Sequence, residues 1–155
     1  MKVIIFGNSG SGKSTLAKKL VNQHDLSHLD LDTIAWQDTT PPKRLTIEVS
    51  REKILDFIHN CSSWVIEGCY SDLIEIATPL CSEMFFLNPG VEACIENCRK
   101  RPWEPHKYES PEAQDKNLAM LIEWVKQYEI RSDSFSLKAH QKVFDSFTEK
   151  KTEVN

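Results

Sequence analysis

The 155 residues include 19 lysines and arginines against 23 aspartates and glutamates, and the resulting charge of -4 argues against a nucleic-acid partner, which usually needs a basic face. The apolar (40%) and charged (27%) fractions are those of an ordinary soluble globule, and the length suits a single domain spanning residues 1–155. No stretch approaches the roughly 18 apolar residues of a membrane span, and five cysteines in no paired spacing fit reduced thiols in a cytoplasmic protein.

The first apolar run, VIIF at Val3–Phe6, is rich in β-branched residues and predicts a strand buried on both faces. Directly after it stands GNSGSGKS, Gly7–Ser14, a stretch that can bury almost nothing. Leu16, Leu20 and Val21 then fall at helical spacing with lysines on the other side. Strand, glycine-rich turn and helix are the setting that the P-loop pattern G-x-x-x-x-G-K-[ST] requires. By accident the pattern would arise in fewer than about 1% of chains this long. Glycines let the main chain approach a ligand closely, and the loop amides and the positive helix end then point at one phosphate. The expected cradle is Gly7, Asn8, Ser9, Gly10, Ser11, Gly12, Lys13, Ser14 and Thr15. Lys13 can reach the β- and γ-phosphates, and the Ser14 hydroxyl can ligate Mg²⁺. The implied ligand is a nucleoside triphosphate.

Further along, Ser27–Leu31 reads as a second short strand, and Pro41-Pro42 makes TTPPKRL a loop. Ser50 is expected to cap a helix running to about Asn60, with Ile54, Leu55 and Ile58 on its buried face. SSWVIEG and SEMFFLNPG read as the third and fourth strands, the latter stopped by Asn88-Pro89-Gly90. Val91–Arg101 is a helix turning basic at its end, and Pro102 and Pro105 mark an irregular segment to Ser110 where a mobile lid would fit. Ser110-Pro111 opens a helix to about Tyr128. Phe135, Ala139, Val143 and Phe147 recur every four residues and predict another helix, and KKTEV a last short strand. Strands alternating with helices mean a parallel α/β sheet.

Asp30 and Asp32 stand at the carboxyl end of the second strand, where open α/β sheets place their ligands. If the strand ends between them both can turn inward, one to hold Mg²⁺ through water and the other to accept a proton. On spacing alone they equally suit solvated acids capping the next turn. Glu67 ends an apolar strand with a carboxylate, as near a Walker-type metal, and Gly68 leaves room for a tight turn or a ligand. Arg99, Arg101 and Arg131 are candidates for neutralising a transferring phosphoryl group, though a basic helix end can also be a solvated face. Lys100 and Lys107 read as surface, His106 as surface or lid, and Trp124 as core. Trp36 and Trp103 fall in loops beside these motifs. Cys94 and Cys98 lie four apart on a helix, with no third and fourth ligand at zinc spacing.

GNSGSGKSTLAKKL, HLDLDTIAW, WVIEGCYSD and FFLNPG followed by a basic helix stand in the order seen in small P-loop kinases. The chain resembles the nucleoside monophosphate kinase and shikimate kinase group, most closely its bacterial adenylate kinase-like and topology modulation protein-like ATPases. The resemblance implies a P-loop three-layer sandwich: a five-stranded parallel sheet in the order 2-3-1-4-5, helices on both faces, and a small lid over about 102–131. It implies ATP and Mg²⁺ as cofactors. Asp30 and Asp32 match the Asp-x-Asp that lies near the metal and the acceptor hydroxyl in shikimate kinases, and Arg101-Pro102 and Arg131 resemble lid positions. The glycine-rich acceptor run of shikimate kinases is missing here.

The expected activity is Mg²⁺-dependent phosphoryl transfer from ATP to a small-molecule acceptor, a nucleotide or a hydroxylated metabolite. Lys13, Asp32, Arg99, Arg101 and Arg131 would carry the transfer, while Ser14, Asp30 and Glu67 hold the metal. Asp32, Trp36, Gly68 and Tyr70 would receive the acceptor. The alternative is a P-loop ATPase acting as a nucleotide-dependent switch or regulatory nucleotide-binding protein, which would position a water instead.

Overall fold

Alternation along the central strands sets the layers. The computed structural model describes Met1–Asn155, and its first strand, β1 (Lys2–Gly7), is buried on both faces. Successive strand residues point to opposite sides. Ile4 and Phe6 therefore enter one core with Trp64, Ile66, Met84 and Phe86, while Val3 and Ile5 enter another with Val65 and Leu87. Phe6 and Phe86, partners in register, stack with ring centroids 5.0 Å apart.

The other strands are β2 (Ser27–Asp30), β3 (Trp64–Gly68), β4 (Glu83–Leu87) and β5 (Lys150–Val154). All pair in parallel in the order β2-β3-β1-β4-β5, the order expected. The first core is closed by α2 (Ile47–His59), α3 (Ser71–Ala77) and α6 (Leu137–Ser146), through Ile54, Leu73, Ile74 and Val143. The second is closed by α1 (Lys13–His24), through Ala17 and Leu20. The helices α4 (Val91–Lys100) and α5 (Pro111–Lys126) pack on each other around Cys94, Ile95, Cys98, Ile122 and Val125. The five cysteines are unpaired. No helix is long and apolar enough to cross a membrane.

One local expectation is corrected, and two features are added to the sequence reading. The N-cap of α2 is Thr46, whose hydroxyl accepts from the Val49 amide at 3.4 Å. Ser50 lies inside the helix, fully buried, and donates to the Ile34 carbonyl at 3.1 Å. The helix α3 was not anticipated, because seven residues are too few for a 3.6-residue period to show. TTPPKRL is a loop as expected, and it turns back against the segment before it. The Gln37 amide donates to the Lys43 carbonyl at 2.7 Å, the Leu45 amide to Ala35 at 2.8 Å, and Trp36 pairs with Arg44.

Candidate active site

Parallel strands bring their carboxyl ends to one edge of the sheet, and ligands of open α/β sheets bind there. Register places Asp30 beside Glu67 and Phe6 beside Gly68. An open cleft of about 1950 Å³ runs along this edge, lined by the loop after β1, the end of β2, Glu67–Tyr70 and the segment after α4.

Between β1 and α1 the chain turns through glycines at positions where a side chain would not fit. Gly10 has φ of 80°, and a Cβ there would come within 2.3 Å of the Cys94 carbonyl of α4. Asn97 of α4 donates to the Gly10 carbonyl at 2.8 Å and so holds the loop from outside. Inside the loop, Lys13 Nζ donates to the Asn8 carbonyl at 2.7 Å, and Asn8 Oδ1 accepts from the Ser9 amide at 2.9 Å. The Asn8 amide group donates to the Val125 carbonyl, tying the loop to α5. Ser9 to Thr15 line the cleft, whereas Gly7 and Asn8 lie beneath it. The Ser11 hydroxyl is buried without a hydrogen-bond partner, an orphan polar atom in the phosphate cradle.

Glu67 is 2% exposed, yet both of its oxygens are met. Ser14 Oγ donates to one at 3.0 Å, and His28 Nε2 lies 2.9 Å from the other. The hydroxyl and the acid expected at the metal thus already touch. No three acidic, histidine or cysteine side chains gather as a dedicated metal cage. Mg²⁺ seldom needs one, since it binds through one or two carboxylates with phosphates and water. The oxygen donors of Ser14, Glu67 and Asp30 fit that chemistry. Gly68 lines the cleft, but its missing side chain makes room for Leu31, whose Cβ would stand 2.8 Å from an added Cβ, rather than for a ligand.

The strand β2 ends between the two aspartates. Asp30 caps the following 3₁₀ turn (Leu31–Thr33), its carboxylate accepting from the Asp32 amide at 2.9 Å. Lys107 then reaches both acids, 2.8 Å from Asp32 and 3.5 Å from Asp30, and lies 3.3 Å from Glu104. Lys107 is therefore no surface lysine. Burial and the neighbouring Asp32 charge push the Asp30 carboxyl up. Burial works against the Asp32 charge too, but the Lys107 ammonium and hydrogen bonds from Lys107 and Tyr70 outweigh it and hold that carboxyl below its ordinary range. Tyr70, raised by burial and by the Asp32 charge, stays protonated and donates to Asp32. It accepts in turn from the Trp36 indole at 2.9 Å. Asp32, Tyr70 and Trp36 thus form one hydrogen-bonded group.

The arginines separate. Arg101 lines the cleft and lies 3.4 Å from Glu104. Arg99 sits on the exposed face of α4 and does not line it. Arg131 stands behind the wall, stacked 3.8 Å over the Trp124 ring and paired with Asp133 at 3.1 Å. Trp124, expected in the core, is half-buried and lines the cleft. The segment between Arg101 and Ser110 has no regular helix or strand and is fastened to α5. Gln114 bonds the Glu104 amide and the Pro102 carbonyl, and Asn117 bonds the Tyr108 hydroxyl.

No protein-family model matches the chain, and no curated protein does. Solved structures do. A sugar kinase from a Janibacter species aligns with a TM-score of 0.54 at 13% identity, over 98% of this chain and 83% of that one. Shikimate kinase from Acinetobacter baumannii in complex with shikimate aligns at 0.52 and 14% identity, over 100% and 84%. Shikimate kinase from Bacteroides thetaiotaomicron aligns at 0.50 and 16%, over 92% and 96%. The shared feature is the fold, an α/β P-loop fold.

Proposed function

We propose that the chain is a phosphotransferase that moves the γ-phosphoryl group of ATP, with Mg²⁺, to a hydroxyl of a small-molecule acceptor. The observation that carries this reading is the sharing of one cleft by the P-loop and Asp32, its lining including both Lys13 and Ser14 and the Asp32–Tyr70–Trp36 group. At about 1950 Å³ the cleft exceeds a usual single-ligand pocket of roughly 300–1,000 Å³, so donor and acceptor fit together. The kinase folds it resembles support the same class.

Phosphoryl transfer asks the protein mainly for position and charge. The amides of Ser9–Ser14 and the Lys13 ammonium would bind and orient the phosphates. Ser14, Glu67 and Asp30 would hold the metal, which supplies charge neutralisation across the phosphate oxygens when bound. Asp32 accepts the acceptor's hydroxyl proton, and Tyr70 fixes the carboxylate's orientation by donating to it. Arg101, at the start of the segment over the cleft, adds a cation as that segment closes as a lid. The unpaired cysteines fit a cytoplasmic setting. The test is ADP formation from Mg²⁺·ATP with and without a panel of nucleosides, nucleotides, sugars and hydroxy acids. Stimulation by an acceptor, with the phosphorylated product recovered, is the expected result. Hydrolysis at one rate whatever is added would replace the transferase by an ATPase switch.

A further inference from the structure

Four aromatic side chains form one continuous wall of the cleft beside Asp32. Trp36 bonds the Tyr70 hydroxyl, the Tyr70 and Phe135 rings meet edge to face at 5.2 Å, and Phe135 meets Trp124 at 5.4 Å. All four line the cleft, and Trp36 is 41% exposed. Phe135 belongs to the loop after α5, so the wall draws on parts of the chain 99 residues apart, from Trp36 to Phe135.

Two arginines touch this wall, and neither lines the cleft. Arg44 stacks 4.9 Å over Tyr70, with its guanidinium held 3.1 Å from Asp72. Arg131 stacks over Trp124, pairs with Asp133, and donates to the Trp124 and Phe135 carbonyls. Lys107, the cation that reaches Asp32, is already shared among three carboxylates. Of the other basic side chains that line the cleft, Arg101 lies 3.4 Å from Glu104 and Lys13 donates to the Asn8 carbonyl, and the lining also carries the acids Asp32 and Asp38.

A phosphate or carboxylate entering such a place would be stripped of water and meet acids and aromatic faces instead of a free guanidinium. Ring systems gain there, because bases and other flat rings stack on aromatic side chains whatever their sequence or substituents. Resting on the phosphotransferase reading, we infer that the acceptor is an uncharged ring-bearing alcohol of the nucleoside kind, and that its phosphorylated or carboxylated counterparts are excluded.

The experiment is calorimetric titration of the protein, loaded with Mg²⁺ and a non-hydrolysable ATP analogue, with paired probes: adenosine against AMP, thymidine against TMP, and glucose against glucose 6-phosphate. At least one uncharged probe should bind, with its anionic partner at least about tenfold weaker, and Trp36→Ala should weaken the uncharged probe about tenfold. An anionic probe that binds as tightly as its partner overturns the inference and leaves the transferase standing. Failure of every uncharged probe, or indifference to Trp36→Ala, overturns it equally. The analogue's own binding is read in the loading titration. Its absence would remove the phosphotransferase reading, and this inference with it.

Discussion

Lys107 Nζ stands 2.8 Å from Asp32 Oδ2 and ties the segment after α4 to the end of β2. Its ammonium offsets the like charges of Asp30 and Asp32. Lys107→Met keeps the stem and removes the charge. Half-buried pairs fall between exposed and fully buried ones, so the loss should be about 1–2 kcal/mol. That is a fall of roughly 2–8 °C in Tm for a chain of this size. Millimolar Mg²⁺ should then stabilise the variant more than the parent, since a cation can take over the vacated role. Thermal melts with and without Mg²⁺ check both points, and identical responses would refute the neutralising role.

Lys13 makes its one hydrogen bond inside the loop, to the Asn8 carbonyl. Lys13→Ala should therefore leave Tm within about 2 °C while lowering transfer by about 10²- to 10³-fold, the scale of losing one preorganised charge at a transition state. Parallel rate and melting measurements on the one variant decide it. A rate loss matched by a large loss of stability would mean the lysine is structural.

Local chemistry is what the sequence displays well. The strand β1, the glycine turn and α1 were legible because a buried strand, φ-permissive residues and a helical period all lie within about twenty consecutive positions. The Asp30–Asp32 pair was legible for the same reason, and the strand does end between them. What could not be read depends on distant parts of the chain. Lys107 has nothing around it in sequence to separate it from Lys100, and only the fold carries it to residues some 75 positions earlier. Trp124 sits at a core-like helical spacing, yet it faces the cleft because Arg131 and Phe135 return beneath it. Arg99 and Arg101 look alike in CRKRPW, but the helix ends between them and turns them apart. The α2 cap at Thr46 was not legible because Ser50, four residues on, is as good a capping type, and the turn-back that sets the helix start is a tertiary feature.

His140 is fully buried and its ring nitrogens are both used, one 2.7 Å from the Cys69 carbonyl and the other 2.7 Å from the Tyr128 hydroxyl. A carbonyl can only accept, so Nε2 carries the proton and Nδ1 accepts from Tyr128. This pins α6 to the loop that presents Tyr70. Burial depresses the imidazole to about 4, against an ordinary value near 6.5. The neutral form is thus the folded form. Below pH 6.5 the unfolded chain takes up a proton that the folded chain does not, so stability present above pH 6.5 is lost progressively as pH falls toward 4. The full loss is roughly 3 kcal/mol at 1.36 kcal/mol for each unit. His140→Gln keeps a donor and an acceptor but cannot titrate. Denaturant melts at pH 7 and pH 5 should show a steeper loss in the parent than in the variant, and equal slopes would remove His140 as the cause.

Asp32 separates transfer from hydrolysis. Its carboxylate accepts from Tyr70 and pairs with Lys107, and under the proposed transfer it is the acid that would receive the acceptor's hydroxyl proton. Asn preserves the size and an oxygen that can still accept from Tyr70, but it cannot take up a proton. In a transferase, Asp32→Asn should lower the acceptor-stimulated rate by about 10²- to 10⁴-fold, the usual contribution of a general base. The slow background hydrolysis of ATP, which the P-loop and Mg²⁺ would govern, should stay within a few-fold. In a switch ATPase the same carboxylate would orient the attacking water, and the basal rate itself would collapse. Both rates are measured on one preparation of the variant. Loss of basal hydrolysis, with no acceptor-stimulated rate in the parent to lose, would sink the transferase reading and leave Asp32 as a water-positioning residue.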